Sequence, residues 1–214
     1  PILYNTDSLG LVSKEAVVSA GHLFKGFTKK LNKKIYPLDS EHFSIFQNIN
    51  KNLFEINKVK LTASGGPFLG KNYQSLKNIS FNDASKHPKW KMGYKNSIDS
   101  ATLVNKCLEL IEAHYLFNIP FDKMKILIHP EAIVHSAIEY ENFVTNFNLF
   151  KNDMKIPIYN FLLFSKKKPN VINTNYYIKD YKSLNFENVK YEIFPIYKLF
   201  KKINKKRPQN LIKF

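Results

Sequence analysis

The chain has 214 residues, 44% hydrophobic and 14% aromatic, enough for one or two packed domains and too apolar for a disordered chain. Its 33 Lys and Arg against 17 Asp and Glu give +16, but Arg207 is the sole arginine and Asn, Ile and Phe, like Lys drawn from A/T-rich codons, are abundant; codon bias explains the charge as well as function does, and the near absence of arginine argues against a nucleic-acid partner. A single cysteine, Cys107, excludes an internal disulfide, and no apolar run approaches the roughly 18 residues of a membrane span, nor does the stretch from Pro1 to Asp7 read as a secretory signal; an intracellular protein without a membrane partner is expected.

From Leu11 to Lys34 the apolar positions Val17, Val18, Leu23, Phe24 and Phe27 suit a helix. Ile35 to Leu38 reads as a short strand that delivers Asp39, Ser40, Glu41 and His42 at its end, and a helix through Ile45, Phe46 and Ile49 follows. Alternation at Ile56, Val59, Leu61 and Ala63 predicts a strand running into the breaker Gly65-Gly66-Pro67. The stretch from Tyr73 to Asn96 is polar and irregular. A long helix is predicted to begin near Asp99-Ser100, with Leu103, Cys107, Leu110, Ile111 and His114 as its buried stripe, and to end at Asn118-Ile119-Pro120. Met124 to Ile128 is a strand, and Ala132 to Tyr140 with Phe143 to Phe150 form a hairpin turning at Glu141-Asn142. Lys166-Lys167-Lys168-Pro169-Asn170 is a charged linker, followed by one apolar cluster at Phe194, Ile196, Tyr197, Leu199 and Phe200. The expected fold class is α+β, a mixed sheet covered by helices. Its expected division is 1–34 as the end of a preceding nucleotide-binding domain, 35–150 as a catalytic domain, and 151–214 as a linker and the start of a C-terminal region.

Asp39 and Glu41, two apart at a strand end, would project to one face. Close carboxylates repel unless a cation or a shared proton intervenes, and an oxygen-only set suits Mg²⁺ or Mn²⁺. The pattern is also common in exposed turns. Ser100, placed at the start of the long helix, would leave backbone N–H groups free to hold an anion such as a phosphate. Asn105, Lys106 and Glu109 share a polar face of that helix, either a site or a solvated ion pair. Ser64-Gly65-Gly66-Pro67 could cradle an oxyanion. Trp90, beside His87, could serve as a lid or as an anchor into the core. His129 and His135 read as core histidines, and His22 and His42 carry no spacing signal.

Taken in order, Ser13-Lys14-Glu15, Pro37-Leu38-Asp39-Ser40-Glu41-His42, Ser64-Gly65-Gly66-Pro67-Phe68, His87-Pro88-Lys89-Trp90-Lys91-Met92-Gly93, the run from Asp99 through Asn105-Lys106 to Glu109 and Ile111-Glu112-Ala113, Leu127-Ile128-His129-Pro130 and Ile133-Val134-His135-Ser136 resemble the 1-deoxy-D-xylulose 5-phosphate reductoisomerase family. The resemblance covers about residues 11 to 160. It implies Asp39, Glu41 and Glu109 as metal ligands, and Ser40 and Glu41 against the substrate's hydroxyl and carbonyl oxygens. Ser64, Ser100, Asn105 and Lys106 would hold the phosphate, with His87 closing over it and Trp90 as the flap. Lys14 would touch the substrate, while Ser13, Glu15 and Gly93 would face NADPH. Lys14 and His87 count with the three acids as catalytic groups. The implied setting is a homodimer acting on a phosphosugar in bacterial cytoplasm or a plastid-like organelle.

Departures accompany the matches. The chain has no G-x-G-x-x-G, and residues 1–10 match none of the family strings. Ser13 stands where asparagine is usual, Cys107 replaces a glycine, and Glu131-Ala132 replace a Gln-Ser pair. A fragment or split gene product is expected, one that keeps the metal and phosphosugar groups but does not hold NADPH tightly. The rival readings are a catalytically decayed relative and a basic nucleic-acid-binding protein.

Overall fold

The computed structural model describes residues 2–49, 54–86, 93–165 and 181–202. After a 3-10 turn at Ile2–Tyr4, β1 (Ser8–Leu11) pairs in parallel with β2 (Lys34–Pro37), and α1 (Lys14–Leu31) forms the crossover between them. Asp39 then caps α2 (Ser40–Asn48): its side chain accepts from the Glu41 N–H at 3.2 Å. The acidic pair therefore lies at a helix N-terminus just past the strand end.

The second sheet runs in the order β6-β5-β3-β4-β7, with β3 (Ile56–Ala63) at its centre. β4 (Met124–Ile128) is parallel to β3, whereas β5 (Val134–Tyr140) is antiparallel to β3 and to β6 (Thr145–Leu149). Val59, Leu61, Thr62 and Ala63 are all buried, so β3 loses its polar alternation where it approaches the site, as a strand covered on both faces does. The predicted hairpin is present, turning through 141–144.

The long helix predicted from Asp99 is instead two. α5 (Tyr94–Ala101) ends at Thr102, Leu103 takes a left-handed φ of 67°, and α6 (Val104–Phe117) starts afresh. Ser100 is thus in the last turn of α5 and caps no helix. Cys107, Leu110 and Ile111 are buried as predicted, and Leu103 is buried from the break between the helices. His114 is half-buried, bonded through Nδ1 to the Ile119 carbonyl at 2.8 Å and stacked on Phe121. The stretch read as irregular holds two short helices, α3 (Tyr73–Leu76) and α4 (Phe81–Ser85), each fastened by a capping box, Asn72 with Ser75 and Ser80 with Asp83.

α6 lies on the sheet and against α1, and the core joins Ile45, Leu61, Leu110, Ile111, Ile126 and Ile138. Beyond α7 (Lys155–Phe164), β7 (Glu187–Asn188) pairs with the end of β4, and α8 (Pro195–Phe200) delivers Phe194, Tyr197 and Phe200 to the core. The Tyr197 hydroxyl accepts the Ile126 N–H at 3.0 Å, doing for that residue of β4 what a longer neighbouring strand would do. The charged linker at 166–170 lies outside the described residues. Among the described residues no helix is long and apolar enough to cross a membrane.

Candidate active site

One cavity of about 440 Å³ opens where the end of β3, the N-terminus of α2, the junction of α5 with α6 and the start of α1 converge. Ser13, Lys14, Glu15, Asp39, Ser40, Glu41, Ser64, Ser100, Asn105, Lys106 and Glu109 all line it. Ligand oxygens of Asp39, Glu41 and Glu109 lie within 4.8 Å of one another, although Glu109 is almost 70 residues further along the chain. Separations of that size let one cation touch all three.

Two lysines currently balance these acids. Lys14 Nζ lies 3.0 Å from Asp39 Oδ2 and 3.1 Å from Glu109 Oε1, and donates to Asn105 Oδ1 at 2.9 Å. Lys106 donates to Glu41 and, at 2.8 Å, to Glu109 Oε2. The Asn105 amide also donates to Glu109, and Ser40 Oγ donates to Glu41 Oε2 at 2.6 Å. Ammonium groups seated between the carboxylates act as stand-ins for a cation, so the residues present fit a hard divalent ion. The solvated Lys106–Glu109 pair considered from sequence is not what forms, since Glu109 is 1% exposed and Lys106 8%.

Burial and charge divide the acids. Burial alone would raise every carboxyl pKa. For Asp39 that push is overcome by Lys14 and His42, which hold it well below the usual range; for Glu41 it is overcome by Lys106, leaving a value of about 2. At Glu109, burial together with the Glu41 charge wins, and its pKa is raised. Burial would lower both lysines, but the facing carboxylates, Glu109 foremost, hold them above the ordinary value. The cluster is thus a set of charges that stabilise one another out of water.

A layer beneath it was not predicted. His42, assigned no signal from spacing, is fully buried: Nε2 meets the Glu109 carbonyl at 2.9 Å, and Nδ1 lies 3.3 Å from both Asp39 Oδ1 and Glu112 Oε2. Burial would depress the imidazole, yet Glu112 and Asp39 raise its pKa to about 10. Burial also lifts Glu112, to about 7, against the opposing pull of His42. The available signal was an i,i+3 pairing on each helix, Asp39 with His42 and Glu109 with Glu112. His135, read as a core histidine, is buried and bonded through Nε2 to the Phe150 carbonyl at 3.1 Å, but its other nitrogen comes within 3.9 Å of Glu41 on the cavity wall.

The remaining predicted residues fall in several places. Ser64 precedes Gly65 and Gly66, whose φ values of 87° and 57° favour glycine, and Ser64 Oγ accepts the Gly66 N–H at 3.3 Å. A Cβ on Gly66 would stand 3.4 Å from the Ala101 backbone, so the loop is seated directly on the end of α5. Ser100 lines the cavity from α5, while the first turn of α6, which has no side-chain cap, carries Asn105 and Lys106. Ser13 Oγ accepts the Ala16 N–H at the start of α1, and Glu15 pairs with Lys95 at 3.1 Å, bridging α1 to α5. Gly93 precedes α5, exposed and outside the cavity lining. His87 and Trp90 lie outside the described residues.

Residues 35–117 match the family model for the 1-deoxy-D-xylulose 5-phosphate reductoisomerase C-terminal domain. A 1-deoxy-D-xylulose 5-phosphate reductoisomerase of Clostridium kluyveri is 45% identical over 193 residues, covering 89% of this chain and 50% of that protein. One from a Sulfurihydrogenibium species is 42% identical over 207 residues, 96% of this chain and 54% of the relative. The crystal structure of a DOX-P reductoisomerase in complex with NADPH, fosmidomycin and magnesium superposes with a TM-score of 0.80 at 36% identity, over 91% of this chain and 50% of that one. The Zymomonas mobilis 1-deoxy-D-xylulose 5-phosphate reductoisomerase in complex with NADPH gives 0.80 at 34%, over 94% and 52%. The chain spans about half the length of the curated relatives it matches.

Proposed function

We propose that this chain, which belongs to the 1-deoxy-D-xylulose 5-phosphate reductoisomerase family, supplies the metal- and sugar-phosphate-binding part of an NADPH-dependent enzyme converting 1-deoxy-D-xylulose 5-phosphate into 2-C-methyl-D-erythritol 4-phosphate, a step of non-mevalonate isoprenoid synthesis. The observation that carries this reading is the convergence of Asp39, Glu41 and Glu109 within 4.8 Å beside the N-terminus of α6. Residues 1–34 are read as the end of the nucleotide-binding part, 35–150 as the catalytic domain, and 151–214 as the connection to a C-terminal region. The homodimer implied by the family resemblance belongs to the same proposal.

In this reading Asp39, Glu41 and Glu109 hold Mg²⁺ or Mn²⁺, which when bound supplies Lewis-acid polarisation of the substrate's oxygens. Ser40 and Glu41 orient the hydroxyl and carbonyl groups of the ketose, and Lys14 donates to the same oxygens. Ser64, Ser100, Asn105 and Lys106 hold the phosphate, helped by the positive end of α6. That grip lies at the far end of the substrate from the rearranging carbons, so its binding energy serves to position them. Ser13, Glu15 and Gly93 would border the nicotinamide, which would supply the hydride for the reductive half of the reaction. His87 and Trp90 are assigned to closure over the substrate, where they would exclude water.

Calorimetric titration of the chain with Mn²⁺ tests the proposal. We expect saturable binding that is lost in Glu109→Gln and strengthened by a phosphonate analogue of the substrate. Binding unchanged by Glu109→Gln would overturn it. Salt-sensitive DNA affinity with no response to Mn²⁺ would favour a nucleic-acid-binding role instead.

A further inference from the structure

Glu112 has no part in the reaction outlined above, yet it is as thoroughly buried as Glu109. Its side chain is fully buried, neither carboxylate oxygen has a hydrogen-bond partner among the described residues, and the nearest cationic group is His42 Nδ1 at 3.3 Å. A buried carboxylate without hydrogen bonds is strongly unfavourable unless an opposite charge faces it. The imidazole is therefore what makes Glu112 tolerable there, and Glu112 in turn restricts where the imidazole can point.

His42 touches both ligand-bearing helices. Its Nδ1 is 3.3 Å from the Asp39 carboxylate at the cap of α2, while its Nε2 donates to the backbone carbonyl of Glu109 in α6 at 2.9 Å. Phe117 stacks on the ring at 6.3 Å. Glu112 lies one turn beyond Glu109 on the same helix, so the carbonyl and the carboxylate grip the ring together from α6. Nε2 is thereby hydrogen-bonded and Nδ1, which has no hydrogen-bond partner among the described residues, stands at ion-pair distance from both carboxylates, so turning the ring would give up the bond to α6 and the charge contact with Asp39 at once. Groups that fix the orientation of metal ligands in this way alter metal affinity without touching the ion.

We propose that Glu112 is a positioning residue which, through His42, holds Asp39 on α2 at the distance from Glu109 on α6 that a divalent cation requires. The proposal rests on the reading of Asp39, Glu41 and Glu109 as a metal site. A Glu112–His42 pair that served folding alone would affect stability but leave the affinity of the folded chain unchanged.

The test compares Mn²⁺ affinity, read by electron paramagnetic resonance of the free ion, with thermal unfolding of the metal-free protein, both on the whole 214-residue chain. Glu112→Gln, which keeps the shape and removes the charge, is expected to weaken Mn²⁺ about tenfold while the metal-free protein still unfolds cooperatively. His42→Gln should weaken it by a similar factor, and the double variant no further than the weaker single one, because the two act as one unit. Affinity in Glu112→Gln within twofold of wild type, or losses that multiply in the double variant, overturns the inference. Should Glu112→Gln fail to fold, His42→Gln decides alone by the same twofold criterion. A wild-type chain that binds no Mn²⁺ overturns the metal reading and this inference together, whereas wild-type binding with an indifferent Glu112→Gln overturns this inference only.

Discussion

Replacing Lys106 by methionine asks whether the lysines are structural counter-ions of the acidic cluster. Asp39, Glu41, Glu109 and Glu112 face Lys14, Lys106 and His42, and among the described lysines Lys106 is the one that contacts both Glu41 and Glu109. Methionine keeps the packing of the stem and deletes the charge, leaving two carboxylates in a nearly water-free setting. Removing one partner of a buried ion pair costs about 3–5 kcal/mol. At about 2–4 °C per kcal/mol for a chain of this size, the melting temperature of the metal-free protein should fall by about 6–20 °C. Mn²⁺ at a hundredfold excess over its dissociation constant adds about 2.7 kcal/mol to any folded form that binds it. In Lys106→Met the ion also takes over the missing counter-charge, so at equal Mn²⁺ the rise in melting temperature should exceed that of wild type. Differential scanning calorimetry with and without Mn²⁺ measures both. A fall below about 3 °C, or equal metal-induced rises in the two proteins, would refute the counter-ion argument.

Other perturbations probe the supports of the site. A Cβ on Gly21 would stand 2.3 Å from the ring of Tyr115, so Gly21→Ala should force α1 away from α6 and cost about 1–3 kcal/mol, seen as a lower urea midpoint at unchanged slope. Tyr197→Phe leaves the buried Ile126 N–H without its 3.0 Å acceptor and should cost about 1–3 kcal/mol in the same assay. His42 has its pKa raised from 6.5 to about 10 on folding, so its stabilising contribution is complete below pH 6.5 and lost as pH rises through 10. Stability of the metal-free chain should decline across that window, and His42→Gln should flatten the decline; an unchanged slope in the variant would contradict the charge state assigned to the ring. Asp39 and Glu41, with lowered values, act on the acid side instead, whereas Glu112, raised to about 7, adds to the decline at the lower end of the window, so the comparison with His42→Gln is made above about pH 8.

What the chain makes legible follows from what is local. Alternation at Val59, Leu61 and Ala63 marks β3, and the turn at Glu141-Asn142 marks the β5–β6 hairpin, because both signals lie within a few residues. The carboxylates announced themselves as separate pairs and helix faces, and the family strings grouped them. The break at Leu103 is not marked in the sequence: Ala101-Thr102-Leu103-Val104 contains no glycine or proline, and a leucine at φ 67° is held there by its burial and by the hydrogen bonds that close the end of α5. His42 and Glu112 were equally hidden, since their meaning arises only when α2 and α6 cross. The apolar cluster near the C-terminal end of the chain was seen as a cluster, but that Tyr197 would complete the hydrogen bonding of β4 depends on a contact 71 residues away.

If Asp39, Glu41 and Glu109 hold the proposed ion, the paired lysines would make its capture an exchange and not a simple docking event. Because the ammonium of Lys14 bridges Asp39, Asn105 and Glu109, and that of Lys106 bridges Glu41 and Glu109, an arriving cation must wait for these arms to swing clear before it can shed its last waters. Entry should then be gated by side-chain release, with stopped-flow rates that level off at high Mn²⁺ and change little with ionic strength. A rate climbing linearly with Mn²⁺ would instead mean that the arms yield at every encounter.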